Sequence, residues 1–218
     1  MKKEDLQKFS DTSDSELISM ILQGSKNLYE IIIRRYNQRL YRVGMSMIND
    51  ESEVEDIMQV VYINAYENLG KFVYKSKFST WLTRILINEC LLRIRNRNRS
   101  VVMDDAKLVR TFDKPSYNHS QTPVHSAMNS ELKSIIHEAI NRLPEKYRTV
   151  FVMREIEDMN VTETKECLDI SEVNVKVRLN RAKIMLREII SVYYKREDIL
   201  HFHLSKCDRI VAYVMGNI

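Results

Sequence analysis

The scarcity of helix-breaking residues is the strongest constraint on what this chain can fold into. Its 218 residues include four glycines and three prolines, while leucine, isoleucine, methionine and long charged residues are abundant. Turns, bulges and phosphate-binding loops need glycine or proline, and the abundant residues favour helices. The composition therefore predicts an all-α protein and excludes glycine-rich nucleotide-binding loops.

Hydrophobic periodicity divides the chain into two helical regions. Apolar residues recur at helical spacing within residues 14–99 and again within residues 130–196. Residues 100–129, between them, contain two prolines and many serines, threonines and asparagines, which is typical of a linker. Because a long irregular stretch is unusual inside one domain, we expect two small helical domains, a flexible linker, and an extension at residues 197–218.

The charges are unevenly distributed, although the net charge is only +4. Glu53, Glu55 and Asp56 form an acidic stretch, whereas residues 84–99 and 176–187 are basic. Acidic and basic surfaces on one chain suit two different kinds of partner.

Cysteine usage and hydropathy indicate the compartment. The three cysteines are far apart, which implies no disulfide framework and a reducing environment. No apolar run reaches the length of a membrane-spanning helix. The sequence therefore predicts a cytoplasmic protein without a membrane span.

Two clusters of polar residues could suggest a metal site or a catalytic site, and we expect neither cluster to form one. His201, His203 and Cys207 lie close together, but they have no evident fourth metal ligand, and Cys207 fits the apolar face of a short helix. Glu155 and Glu157 have no suitably spaced basic or nucleophilic partner, which indicates surface charge. We therefore expect no metal, no cofactor and no catalytic site.

A helix at the end of the first region contains the only tryptophan of the chain, Trp81. Ser79 or Thr80 is a suitable N-cap. Helical spacing then places Trp81, Ile85 and Leu92 on one side, flanked by Leu82 and Leu86, and we expect this side to face the core.

The same helix carries a basic strip on another side. Between Arg84 and Arg99 there are five arginines and one glutamate, and Arg84, Asn88 and Arg95 fall on one line. Arginine binds phosphates, asparagine reads base edges, and a neighbouring aromatic ring can stack on a base. The strip is a candidate nucleic-acid contact; the alternative is the solvated outer face of a core helix.

Residues 161–183 have the proportions of a helix-turn-helix. The first helix ends at Leu168, Asp169 and Ile170 form the turn, and Ser171 caps the second helix. Glycine is usual at such a turn, and aspartate adopts the left-handed conformation less easily.

The second of these helices has two distinct faces. Its apolar residues at helical spacing are Val175, Leu179, Ala182, Leu186 and Ile189. Its opposite face carries Val173, Asn174, Lys176, Val177, Asn180, Arg181 and Lys183. Cations, amides and a small apolar group are what a helix needs in the major groove, although an ordinary solvated helix can look similar.

Four motifs follow one another along the chain. They are Val54–Tyr66, Phe78–Asn88, Leu143–Arg148 and Ile170–Ala182, with the polar linker between the second and the third. In this order they resemble the motifs of bacterial RNA polymerase sigma factors, specifically the small extracytoplasmic-function (group 4) type of the sigma-70 superfamily. The resemblance covers most of the chain.

The resemblance implies a transcription initiation factor that recruits core RNA polymerase to promoters. Its partners would be the β′ clamp helices and β flap of the polymerase, promoter DNA and an anti-sigma protein. The residues that match the clamp-docking surface are Glu53, Glu55, Asp56 and Gln59. Those that match the −10 contacts are Lys71, Lys75, Lys77, Trp81, Arg84, Asn88 and Arg95. Those that match the −35 contacts are Asn174, Lys176, Val177, Arg178, Asn180 and Arg181.

The chain departs from the family pattern within the helix-turn-helix. Thr164 and Lys165 stand where small or aliphatic residues are usual, and Val177 stands where a small polar residue is commoner. These departures concern the −35 preference. We weigh three alternatives to the sigma-factor interpretation: a decoy that binds an anti-sigma protein without DNA, a stand-alone helix-turn-helix regulator, and a metal-dependent enzyme. The retained Arg84, Asn88 and Arg181 disfavour the decoy, and an acidic docking helix would be superfluous in a repressor.

Overall fold

The computed structural model describes residue 9 and residues 11–103, 125–191 and 204–216. Within those ranges the chain is helical and contains no strand, which confirms the predicted all-α class. The α-helices are α1 (Asp14–Leu22), α2 (Tyr29–Ile48), α3 (Glu51–Glu67), α4 (Phe78–Met103), α5 (His125–Asn141), α6 (Glu145–Phe151), α7 (Val161–Leu168), α8 (Glu172–Ser191) and α9 (Leu204–Met215). None of them is both long and apolar enough to cross a membrane.

Helices α1 to α4 form the N-terminal region around one apolar core. Ser13 and Glu16 cap α1 reciprocally, and Asp50 caps α3. Helices α2, α3 and α4 contact one another, and their fully buried residues include Leu40, Val43, Val54, Val61, Leu82 and Leu86. This packing fixes which faces of α3 and α4 point outward.

Helix α4 begins earlier than the sequence predicts. It starts at Phe78, and the carbonyl of Lys77 accepts the backbone N–H groups of Thr80 and Trp81 at 3.0 and 3.1 Å. Ser79 and Thr80 therefore lie inside the first turn, and the prediction that one of them is the N-cap was wrong. The physical reason is that the side chain of Phe78 packs in the core, and this packing favours a helix that begins at Phe78.

The buried face of α4 also differs from the prediction. Leu82 and Leu86 are fully buried, whereas Leu92 is 49% exposed. Trp81 and Ile85 are half-buried at the edge of the core. Placing Leu92 on the core side was therefore wrong, because α4 runs beyond the helices that cover its first half.

A close approach between α2 and α3 requires a glycine in the middle of α2. A Cβ atom added to Gly44 would lie 2.8 Å from Cγ1 of Val54, which is fully buried. We expect Gly44→Ala to lower the free energy of unfolding by about 1–2 kcal/mol, because the clash outweighs the gain in helix propensity. Urea denaturation measures this. In a Val54→Ala background the same change should cost much less; equal costs in both backgrounds would contradict the account.

Helices α5 to α8 form the C-terminal region. Its own core consists of Ala139, Leu143, Tyr147, Ala182 and Leu186, where α5, α6 and α8 meet. Pro144 is the N-cap residue of α6, which begins at Glu145 and continues as a π-helical turn over Val152–Ile156. The predicted linker, residues 100–129, is helical at both ends, because α4 extends to Met103 and α5 begins at His125. Residues 104–124 lie outside the described ranges.

The two regions also pack against each other. Val152, Met153, Met159 and Cys167 of the C-terminal region are buried in the same apolar cluster as the core of the N-terminal region. Helix α6 contacts α2, and α7 contacts α4. The sequence alone did not predict this contact.

Candidate nucleic-acid interface

The basic strip of α4 lies on the outer face of the N-terminal region. Arg84, Asn88 and Arg95 are all exposed, while Leu82 and Leu86 of the same helix are fully buried. The core therefore anchors the first half of the helix, which presents two guanidinium groups and an amide on its outer side. Such a surface can bind phosphates and read a base edge.

An aromatic cluster adjoins the start of this strip. The ring of Trp81 packs against those of Phe72 and Phe78, each with a centroid distance of 5.4 Å. Phe72 in turn contacts Tyr74 at 4.7 Å, and Tyr74 is 55% exposed with a positive φ of 55°. Trp81 is thus partly a core anchor. Tyr74 is the exposed ring of the cluster. It was not predicted from the sequence, and the only sequence feature that could have indicated it is its position in a lysine-rich loop.

The three lysines predicted to contact DNA lie around this cluster, and all are exposed. The ammonium of Lys71 donates to Oδ1 of Asn68 at 2.7 Å. Lys77 forms an ion pair with Glu163 of α7, with 2.8 Å between Nζ and Oε1. The structure therefore leaves these lysines exposed in the segment that precedes Trp81, and it pairs Lys77 with the other region.

A groove between α2 and α3 contains two of the four predicted docking residues, Glu55 and Gln59. Asp56 is exposed next to Glu55. The other residues that line the groove are Ile33, Asn37, Gln38, Tyr41, Met58, Tyr62 and Ile63. The sequence did not predict the groove residues that belong to α2. Hydrophobic periodicity shows which face of a single helix is buried, but it does not show which other helix lies across a groove.

Glu53 is separated from that groove. Its carboxylate faces α4, 3.7 Å from Nε of Arg93 and 4.0 Å from Nη1 of Arg97. Because these ion pairs are partly exposed to solvent, they contribute little free energy to the contact between α3 and the second half of α4.

The second helix of the helix-turn-helix, α8, presents most of the predicted residues. Asn174, Lys176, Val177, Asn180 and Arg181 are exposed, and Arg178 is half-buried. Val175, Ala182 and Leu186 are buried on the opposite side, as expected, while Leu179 and Ile189 are only partly covered. The guanidinium of Arg181 donates to the hydroxyl of Tyr147 at 3.3 Å, which ties this residue to α6.

The turn before α8 has the predicted left-handed residue. Asp169 has φ 52° and ψ 49°. We expect Asp169→Val to lower the free energy of unfolding by about 1–2 kcal/mol, because a β-branched side chain is strained in this conformation. Thermal unfolding measures the loss. Asp169→Gly is the matched control and should be tolerated; a valine variant as stable as the glycine variant would refute the explanation.

The described residues contain no group of three or more histidine, cysteine, aspartate or glutamate side chains placed to hold a metal ion. His201 and His203 lie outside the described ranges. Glu155 forms an ion pair with Lys183 on the surface, at 2.9 Å. Glu157 is only 7% exposed, so its assignment to surface charge was wrong.

Comparison with known families identifies both regions. Residues 32–100 match the model of Sigma-70 region 2, and residues 133–186 match that of Sigma-70, region 4. The basic strip of α4 lies in the first match and the helix-turn-helix in the second.

Relatives and solved structures agree with these matches. The ECF RNA polymerase sigma factor SigW of Bacillus subtilis is 32% identical over 175 residues, which cover 78% of this chain and 93% of that protein. The ECF RNA polymerase sigma-E factor of Haemophilus influenzae is 27% identical over 184 residues, or 82% of this chain and 95% of that protein. The sigma factor RpoE of Bartonella quintana, solved with the anti-sigma factor NepR, has the same fold, with a TM-score of 0.61, 18% identity, and coverage of 75% of this chain and 97% of that one. The chain therefore belongs to the ECF RNA polymerase sigma factors, the non-enzymatic proteins that direct promoter-specific transcription initiation.

Proposed function

We propose that this sigma factor docks on core RNA polymerase through the groove between α2 and α3. Glu55, Asp56 and Gln59 supply an acidic and polar rim, and Met58 and Ile63 supply apolar contacts. An acidic rim around an apolar groove suits a basic helical partner such as the β′ clamp helices. Glu53 supports this surface indirectly, by pairing with the arginines of α4.

The observation that carries the DNA-binding part is the exposed strip of Arg84, Asn88 and Arg95 on a helix whose opposite side is buried along its first half. We assign it, with Trp81 and the surrounding lysines Lys71, Lys75 and Lys77, to the −10 element. Guanidinium and ammonium groups bind the phosphates there, Asn88 reads a base, and the aromatic edge stacks on an unpaired base.

Helix α8 is assigned to the −35 element in the major groove. Asn174, Lys176, Val177 and Asn180 are free of the core and lie near the start of the helix, where a recognition helix contacts base edges. Arg181, which donates to Tyr147 of α6, and the half-buried Arg178 are assigned to the backbone of the DNA.

The division of roles follows the two regions. Residues 14–99 form the polymerase-docking and −10 domain, residues 130–196 form the −35 domain, and residues 100–129 connect them close to the polymerase, whose β flap is the expected partner of the second domain. We place the protein in the cytoplasm, where the polymerase works. An anti-sigma protein is the expected regulator, because the solved relatives of this fold include complexes with anti-sigma factors.

Reconstitution with core polymerase tests this function. The purified chain is mixed with core enzyme and genomic DNA fragments, and the transcripts are sequenced. We expect new start sites preceded by shared −10 and −35 sequences. Stable polymerase binding without new start sites would favour a decoy instead, and failure to bind polymerase would refute the docking surface.

A further inference from the structure

Three apolar side chains form a line along the exposed face of α8. Val173, Val177 and Ile184 are 68%, 41% and 44% exposed. Helical spacing places them on the side opposite the fully buried Val175 and Ala182. Single apolar residues on a surface are ordinary, but β-branched residues are weak helix formers and gain nothing from contact with water. Three of them on one line therefore indicate a surface that binds a partner.

Basic residues border this apolar line on both sides. Helical spacing places Lys176 and Arg187 along one side of it and Arg181 along the other, and all three are exposed. The major groove of DNA has the complementary arrangement, because its floor consists of base edges and its two walls are phosphate backbones. The charges beside the apolar line therefore favour DNA as its partner.

Val177 lies at the centre of the part of α8 that can reach bases. Asn174 and Asn180 are three residues before and three residues after it, one on each side of the apolar line, and both are exposed. A side-chain amide can bind the N6 and N7 atoms of adenine. The isopropyl group of Val177 has no polar atom, and the only methyl group that a DNA base presents in the major groove is that of thymine. Val177 therefore fits thymine, and its two amide neighbours fit adenine.

The side chains that would favour guanine lie away from the apolar line. Arginine and lysine are the residues that most commonly bind guanine. Arg181 donates to the hydroxyl of Tyr147 at 3.3 Å, Arg178 is half-buried, and Lys176 borders the line without lying on it. The surface around Val177 therefore favours an A·T pair over a G·C pair at the position that it faces.

We propose that Val177 is a specificity-determining residue, and that its side chain packs against the methyl group of one thymine in the −35 element. This contact rests on the proposed assignment of α8 to that element. A small polar residue is commoner at this position in the family, so the contact distinguishes this chain from its relatives. Val173, at the start of α8, and Ile184, about two turns beyond Val177, extend the apolar line past both asparagines and are assigned no base.

Uracil substitution tests the contact in the reconstituted holoenzyme. Each thymine in the −35 element of a mapped promoter is replaced in turn by uracil, on either strand, which removes only the methyl group and keeps base pairing. Thymine and uracil promoters with run-off transcripts of different length then compete for limiting holoenzyme in one reaction. We expect uracil at one position to lower initiation about fourfold, which corresponds to the loss of one buried methyl group.

Val177→Ala should abolish this difference, because the truncated side chain no longer reaches the methyl group. Val177 is 41% exposed, so alanine leaves the core intact and the variant should fold. Ile184→Ala is the matched control on the same apolar line and should keep the fourfold preference for thymine. A uracil penalty that persists unchanged in Val177→Ala would overturn the proposal, and so would the absence of any uracil-sensitive thymine in the wild type.

A promoter with an unrelated sequence in place of the −35 element separates the methyl contact from the proposed function. If this replacement lowers initiation but no thymine is sensitive to uracil, the −35 assignment stands and the methyl contact is refuted. If the replacement has no effect, the −35 assignment fails and the methyl contact fails with it. If Val177→Ala weakens initiation equally on thymine and uracil promoters that the wild type does not distinguish, the apolar line contacts a protein partner and the proposal is overturned.

Discussion

Asn88→Ala should lower promoter-specific initiation by about 10- to 100-fold and leave the affinity for core polymerase within about twofold of the wild type. A bidentate contact with a base contributes about 1–3 kcal/mol, and alanine removes both its donor and its acceptor. Asn88 is exposed on the outer side of α4, away from the groove between α2 and α3, so docking should not change. Run-off transcription at a mapped promoter measures the first quantity, and binding to labelled core enzyme measures the second.

Asn96→Ala is the matched control for this prediction. It makes the same truncation at another exposed asparagine of α4, beyond the aromatic cluster. We expect it to keep most of the initiation activity. If Asn88→Ala abolished polymerase binding, the −10 surface would be misplaced; if it behaved like Asn96→Ala, Asn88 would not read a base.

The double variant Glu55→Lys with Asp56→Lys should weaken binding to core polymerase at least about 100-fold. Both side chains are exposed, Glu55 in the lining of the groove and Asp56 next to it in the sequence, and reversing their charges turns attraction to a basic partner into repulsion. Unfavourable charge pairs at an interface cost several kcal/mol. Fluorescence titration with core enzyme at two salt concentrations measures the loss, which should shrink at high salt.

Glu67→Lys is the control for charge reversal on the same helix. Glu67 is exposed in the last turn of α3 and does not line the groove. Its reversal should change polymerase affinity little. Equal losses in the control and in the double variant would show that the net charge of α3, rather than this groove, determines docking.

Local sequence patterns were sufficient to predict most of the helices. The spacing of apolar residues predicted the helical character of residues 14–99, where α2 and α3 lie, and Ser13 and Asp169 occupy the cap and turn positions that their chemistry favours. The exposed strip of Arg84, Asn88 and Arg95 also follows from the helical period alone. These features depend on residues within a few turns of each other, where single-sequence reasoning works well.

The errors concern contacts between distant parts of the chain. Glu157 was assigned to the surface because its partners, Arg39 and Arg42, lie 118 and 115 residues away in the sequence. Leu92 was placed in the core because periodicity does not show where the covering helices end. The groove residues of α2 were missed for the same reason, since two helices form that surface together.

The most direct test of the central claim is to map which promoter positions the two regions contact. A photo-crosslinking residue is placed at Asn96, beside the strip of α4, and in a second variant at Val173 of α8, which is 68% exposed and assigned no base contact. Each holoenzyme is then crosslinked on a promoter found by transcript sequencing. We expect the first variant to crosslink near −10 and the second near −35, about 25 base pairs apart. Crosslinks from both positions to the same few base pairs, or from neither, would contradict a sigma factor that reads two separate promoter elements.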